Sequence, residues 1–187
     1  GSMSGEPIEA VKNGVQIMIS SLRQNPQAIE TAFLSVITFD STAQQIIPLT
    51  DLASFQMVDI KATGVTALGE ALKLVAHKID TEVQKTTTEQ KGDWKPLVFI
   101  MTDGIPTDDW QSGLNEFKKA KVAFTVACAA GSGADANILK QITDNVVSLD
   151  TADSASIGKF FQWVTASIGV SSTKVEDSGK EVTGLNE

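Results

Sequence analysis

Two spacings of apolar residues alternate along this chain. From Pro7 to Leu22, the residues Ile8, Val11, Val15, Met18 and Leu22 are apolar in steps of three and four, the spacing that keeps one face of an α-helix dry. Pro7 suits a first helical turn, where its missing N–H is not needed, and Ser4 with Gly5 leads into it. The next block, Thr31–Phe39, places Phe33, Leu34, Val36, Ile37 and Phe39 on both faces, as expected of a strand buried on each side. Asp40-Ser41-Thr42 reads as a turn. It is followed by a more polar strand, Ala43–Leu49, with Gln44, Gln45 and Pro48. So brief a connection permits only an antiparallel hairpin, and the proline places the second strand at a sheet edge.

After a loop over Thr50–Val65, the residues Leu68, Leu72, Val75, Ile79 and Val83 form the stripe of a long helix. Thr86–Asp93 is polar and loop-like, whereas Pro96–Met101 is apolar throughout and predicts a buried strand. A helix over Trp110–Ala120, an apolar strand over Val122–Ala129, a short helix over Asp135–Ile142 and a short strand over Val146–Leu149 follow. A helix from Asp153 to Ile168 carries Ile157, Phe160, Phe161, Val164 and Ile168 on one side. This alternation predicts a Rossmann-like α/β domain over residues 1–168: a mostly parallel sheet with an antiparallel edge hairpin and helices on both faces. Residues 169–187 are rich in Ser, Thr, Lys, Glu and Gly and read as a polar linker or tail.

Composition narrows the function. The 187 residues suit one domain, and 42% apolar content supports a core without staples. Fifteen basic against 23 acidic residues leave a net charge of −8. This argues against general nucleic-acid binding, which rests on Lys and Arg displacing counterions. The single cysteine, Cys128, excludes an intrachain disulfide and lies in an apolar run, as a buried core thiol does. No stretch approaches the ~18 apolar residues of a membrane span. No leader pattern is visible, and Gly1-Ser2 before Met3 resembles the scar of a cleaved tag. A cytoplasmic location is the expectation.

In parallel α/β sheets, ligands bind at the carboxyl ends of strands. Asp103 stands at such an end, between an apolar strand and Gly104. A carboxylate there needs a cation or hydrogen-bond donors. Thr66 opens the long helix, either as its N-cap or as a ligand. Ser2 is either a tag remnant or a third ligand. Asp40 is expected to cap its turn. Asp108 and Asp109 are expected to cap the helix at Trp110 rather than rim a metal. His77 has no second histidine and reads as a surface or boundary residue. Trp110 and Trp94 are expected to pack inward, with a partner-facing patch the other reading for Trp94.

Together, these segments resemble the von Willebrand factor A family. That family's metal site uses an Asp-x-Ser-x-Ser motif after the first strand, a threonine before a helix, and an aspartate after the fourth strand. Thr66 matches the threonine, and Asp103 in Met101-Thr102-Asp103-Gly104 matches the aspartate. Gly1-Ser2-Met3 matches the tail of the first motif, with Ser2 as its last serine. More narrowly, the chain resembles the TerY-like proteins of bacterial tellurite-resistance operons. The runs behind this are Ser4 to Val11, Leu34 to Asp40, Gly92 to Gly104, and Pro106 to Trp110. The resemblance implies a cytosolic stress-response module that binds an acidic side chain of a protein partner through a divalent cation. Its companions would be phosphatase-like or kinase-like proteins. Hard oxygen ligands make Mg²⁺ the expected metal, with Mn²⁺ or Ca²⁺ as substitutes.

The chain departs from the family at its start. The first strand, the motif's Asp and its first Ser are absent from these residues, so metal affinity is expected to be weak. The missing strand would sit mid-sheet, exposing two strand edges. The sheet should then either close up or be filled from a second chain, as in a swapped or edge-paired homodimer. Two other functions stand beside the binding module. A Mg²⁺-dependent phosphoryl-transfer or hydrolytic enzyme would use Asp103, Asp108 and Asp109. The chain lacks a P-loop, an Asp-x-Asp strand end and a dinucleotide fingerprint for such chemistry. The other is a scaffold with a vestigial metal site.

Overall fold

The structure is a computed structural model that describes residues 2–183, with side chains from 2 to 171. Helix α1 (Glu6–Leu22) begins after Gly5, whose φ of 84° lies in the left-handed region that glycine tolerates. A short helix α2 (Pro26–Thr31) follows, capped by the Asn25 side chain, which accepts from the amides of Gln27 and Ala28. The periodicity above does not predict α2, because six residues are too few to display a face. Strands β1 (Phe33–Phe39) and β2 (Ala43–Asp51) pair antiparallel around the Asp40 turn, as expected.

Helix α3 (Leu68–Glu82) leads to β3 (Leu97–Thr102), α4 (Trp110–Phe117), β4 (Phe124–Ala130), α5 (Ala136–Ile142) and β5 (Val146–Leu149). These three strands form a parallel sheet in the order β3-β4-β5. The last helix, α6 (Ser154–Thr183), runs well past Ile168, where its apolar stripe suggested an end. No proline interrupts residues 169–183, so nothing in the sequence blocks the helical hydrogen-bond ladder there.

Two cores hold the layers. On one face, Val15, Met18 and Leu22 of α1 and Phe160 and Val164 of α6 pack against Val126 and Cys128 of β4 and Ile47 of β2, with Phe99 and Met101 of β3 alongside. On the other, Leu68 and Leu72 of α3, Leu114 and Phe117 of α4 and Leu139 of α5 cover Ile100, Ala127 and Ala129. Odd and even positions of β3 thus enter opposite cores, as the two-residue strand period requires. The chain is an α/β domain with helices on both faces of its strands.

The strands do not join into one sheet. The β1–β2 hairpin and the β3-β4-β5 sheet are separate, although the same helix layers cover both. The prospect of the sheet closing up is therefore not realised. Burial follows from this. Residues 126–130 of β4 are buried, whereas β3 is mostly half-buried and Phe33 of β1 is 57% exposed. The expectation that β1 and β3 are fully buried fails because each has a neighbouring strand on one side only. Trp94 is also exposed, with the Lys91 ammonium 5.6 Å from its ring centroid, instead of packing inward.

Candidate metal-binding face

Asp103 follows β3 at its carboxyl end, and the turn is tied by the buried Thr102, whose hydroxyl accepts from the Gly104 amide at 3.3 Å. Ser2 approaches from the start of the chain, and its hydroxyl donates to Asp103 Oδ1 at 2.5 Å. Gly104 lies against both hydroxyls. A Cβ built there would stand 2.8 Å from Thr66 Oγ1 and 3.6 Å from Ser2 Oγ. The three residues singled out from sequence thus come together around one glycine.

Thr66 is positioned by its backbone. Its N–H donates to Thr107 Oγ1 at 3.2 Å, and the Thr107 N–H returns to the Thr66 carbonyl at 2.9 Å. Its side chain does not cap α3. The N-cap position falls to Ala67, which offers no side-chain acceptor. The orphan amides of that first turn are met from another loop instead. Asp108 accepts from Gly69 at 3.0 Å and from Glu70 at 2.8 Å. Close packing of α3 and α4 makes this possible, since a Cβ on Gly113 would lie 2.1 Å from the Gly69 carbonyl oxygen. Asp108 therefore caps α3 and not α4, as the sequence suggested, while Asp109 does cap α4 through the Ser112 amide at 3.1 Å. Sequence reading gave Thr107 and Gly133 no structural role. A Cβ on Gly133 would meet the Asp103 carbonyl oxygen at 2.6 Å, so the loop after β4 also lies against the site.

The remaining carboxylates nearby are engaged elsewhere. Asp40 accepts from the Thr63 hydroxyl at 2.6 Å and from the Thr42 amide at 3.2 Å. The Thr63 hydroxyl, then the Thr42 amide, hold its carboxyl below the usual range. Among the described residues, no three His, Cys, Asp or Glu side chains gather in a metal-binding group. The acidic trio of the enzyme reading is accordingly dispersed. His77 is exposed on α3. Cys128 is fully buried, and burial pushes its thiol up to about 12, the opposite of what a nucleophile needs.

The face therefore offers one carboxylate and two hydroxyls, all hard oxygens. That donor set suits part of a Mg²⁺, Mn²⁺ or Ca²⁺ sphere, with the remaining positions left to water or an incoming oxygen. The glycine at its centre fits as well, because any side chain there would fill the space between the hydroxyls. No helix among the described residues is long and apolar enough to cross a membrane.

Comparison with known proteins bears on the fold. Solved structures with the same fold include proximal thread matrix protein 1 from the mussel byssus, described with a zinc-occupied MIDAS motif. It is 19% identical with a TM-score of 0.63, over 86% of this chain and 42% of that one. A von Willebrand factor type A protein from Catenulispora acidiphila is 17% identical with a TM-score of 0.62, over 87% of this chain and 38% of that one. BatB from Bacteroides thetaiotaomicron is 14% identical with a TM-score of 0.53, over 88% of each chain. The chain thus spans less than half the length of the first two. No curated protein matches the sequence. The family model described as the von Willebrand factor type A domain matches residues 1–163, and this chain belongs to that family.

Proposed function

We propose that the chain is a metal-dependent protein-interaction module whose cation is held by Asp103, Thr66 and Ser2. The observation that carries this reading is the convergence of one carboxylate and two hydroxyls on Gly104. A dication facing a single protein carboxylate retains positive charge, so an acidic side chain of a partner completes the site. Mg²⁺ is the metal best matched to these hard oxygens, with Mn²⁺ or Ca²⁺ able to substitute. Val65 and Ile105, both more than half exposed, flank Thr66 and Gly104 and give the partner an apolar rim to pack on. The function is binding, without catalysis.

The runs quoted above favour the TerY-like branch. This would place the module in the cytoplasm of a bacterium, in a tellurite-resistance or wider stress response, beside phosphatase-like or kinase-like companions. Direct chemistry with the oxyanion is not part of this reading, because the one cysteine is buried.

The test is a pair of displayed heptapeptide libraries, one with a fixed central Glu and one with a central Gln. Each is panned on the protein in Mg²⁺ and in EDTA. Enrichment specific to Glu, sensitive to EDTA and lost in Asp103→Ala is expected. Equal enrichment from both libraries contradicts the reading. A second reading, a scaffold with a vestigial metal site, is favoured by one feature: the Ser2 hydroxyl donates to Asp103 Oδ1, a hydrogen bond that can satisfy this carboxylate oxygen from within the protein. Binding undiminished in EDTA would support it.

A further inference from the structure

The end of the parallel sheet opposite Asp103 carries a different chemistry. β3 and β4 enter the sheet side by side, with Leu97 opposite Phe124 and the Ala123 amide donating to the Pro96 carbonyl at 2.9 Å. The segments just before these strands are therefore neighbours, one bearing Lys95 and the other Lys121. Lys118 and Lys119, where α4 closes, lead into the second segment. Lys91 and Trp94 lie in the first. The six residues of β3 separate this end from the metal-binding face by roughly 20 Å.

Little nearby offsets this positive charge. Lys91, Lys95, Lys118, Lys119 and Lys121 are all exposed. Elsewhere, Lys12, Lys78 and Lys85 each pair with a carboxylate. Among these five, Lys119 alone pairs with a described carboxylate, Glu116 at 3.1 Å, and both side chains are more than half exposed, so the pair is weak. Asp93, inside the first segment, is occupied by the Gln84 amide at 2.8 Å. Lys118 and Lys119 also suit the carbonyl end of α4, a local role that does not extend to Lys95 before β3. Trp94 stands among these lysines 53% exposed, with the Lys91 ammonium against its ring. Its loop is tied down. The Asp93 amide donates to the Gln84 carbonyl at 2.8 Å, and the Gly92 amide to Thr86 Oγ1 at 3.0 Å. An aromatic ring on a fixed loop gives up little freedom on binding, as the anchors of interfaces do.

We propose that this end of the sheet docks a short acidic segment of a partner protein, in which carboxylates flank an apolar side chain. The carboxylates meet Lys95, Lys119 and Lys121, and the apolar side chain packs on the Trp94 ring. Charge selects the class of occupant. The whole chain carries −8, so a long polyanion, such as a nucleic-acid duplex or an anionic bilayer, extends past the lysines onto a repelling surface. A short segment keeps its charge over the patch, within the ~8 Å across which exposed charges act at physiological salt. Docking here needs no cation, so it stands or falls separately from the metal-binding face.

The probe is a fluorescein-labelled peptide, Asp-Glu-Glu-Leu-Glu-Asp, with Asn-Gln-Gln-Leu-Gln-Asn as its uncharged control. Each is titrated against the full chain in EDTA, which silences the metal-binding face. Saturable one-to-one binding of the acidic peptide is expected by fluorescence anisotropy, with NMR amide shifts confined to residues 91–96 and 117–123. Affinity should fall at least about tenfold in Lys95→Ala/Lys121→Ala and about threefold in Trp94→Ala. It should survive in Lys95→Arg/Lys121→Arg, and in Lys61→Ala/Lys159→Ala, which removes the same charge elsewhere. No saturable binding, equal binding of the uncharged control, or shifts centred elsewhere would overturn the inference. So would tighter binding to phosphatidylserine vesicles or to a DNA duplex than to the peptide, since the lysines would then serve another class of partner. Self-association lost in Lys95→Ala/Lys121→Ala would overturn it as well, by making a second copy the occupant.

Discussion

Ser2 and Asp103 lie 101 positions apart in sequence, and the serine hydroxyl donates to Oδ1 of the aspartate at 2.5 Å. The contact brings the first described residue of the chain to the carboxyl end of β3, where this fold class places its ligands. Thr66 reaches the same spot along a separate route, held by Thr107 and released from capping by Asp108. Two loops and the start of the chain therefore share responsibility for one small cluster of oxygens.

Removing the Asp108 carboxylate should separate fold from site. Asp108→Ala strips the cap from the Gly69 and Glu70 amides, which at a helix start costs about 1–2 kcal/mol. Urea denaturation is expected to show a loss in that range. Asp109→Ala should cost a similar amount through α4. A neutral result for Asp108→Ala would mean that water replaces the cap without penalty.

Gly104→Ala should impair metal binding more than stability. The added Cβ would sit 2.8 Å from Thr66 Oγ1, closer than carbon and oxygen tolerate, so Thr66 must move. Because the position lies in a half-buried turn, the fold should lose no more than about 1–2 kcal/mol. Unchanged Mn²⁺ affinity in this variant would show that Thr66 is not a ligand.

Glu82 gives a pH signature. Burial pushes its carboxyl up, but hydrogen bonds from the Leu49 amide and the Gln45 amide, with Lys78 alongside, outweigh this and lower it overall. A carboxyl lowered in the folded state stabilises when ionised. Its contribution is therefore complete above the ordinary glutamate range and is lost as pH falls through the lowered value. Glu82→Gln should reduce stability at pH 7 by at most about 1 kcal/mol, the partial exposure screening the charge. The difference from the parent chain should shrink in acid. A difference independent of pH would contradict this account of the edge of β2.

Cys128 should be silent in the native state. Its thiol is fully buried and pushed up to about 12 by burial, so almost no thiolate exists at neutral pH. Alkylation by iodoacetamide at pH 8 is expected to follow global unfolding, with a rate that rises in urea in step with the unfolded fraction. Rapid labelling of the folded chain would contradict the buried assignment.

Much of this architecture could be read from the order of residues, for identifiable reasons. Long apolar stripes such as Leu68-Leu72-Val75-Ile79 and solid apolar runs such as Leu97–Met101 leave little choice of element. Helix α2 escaped because six residues show no period, although Asn25 before Pro26 is a capping signal. The extension of α6 escaped because its later residues are polar, and polarity alone does not end a helix. At the site, Asp103 was legible from its place after a buried strand. The role of Asp108 was not, because it caps a helix that starts 40 positions earlier, through a contact that only the packing of Gly69 on Gly113 creates. For the same reason Thr66 looked like a cap in sequence. Its local alternative disappears only once a distant carboxylate has taken that task.

The central claim is that Ser2, Thr66 and Asp103 together hold a divalent cation. The most direct measurement is amide NMR of the full chain during titration with Mn²⁺, whose paramagnetism broadens nearby signals even when binding is weak. Broadening should appear first at residues 2–4, 65–67 and 103–105, be competed by Mg²⁺ and disappear in Asp103→Ala. Broadening centred elsewhere, or unchanged in Asp103→Ala, would contradict the assignment of this face.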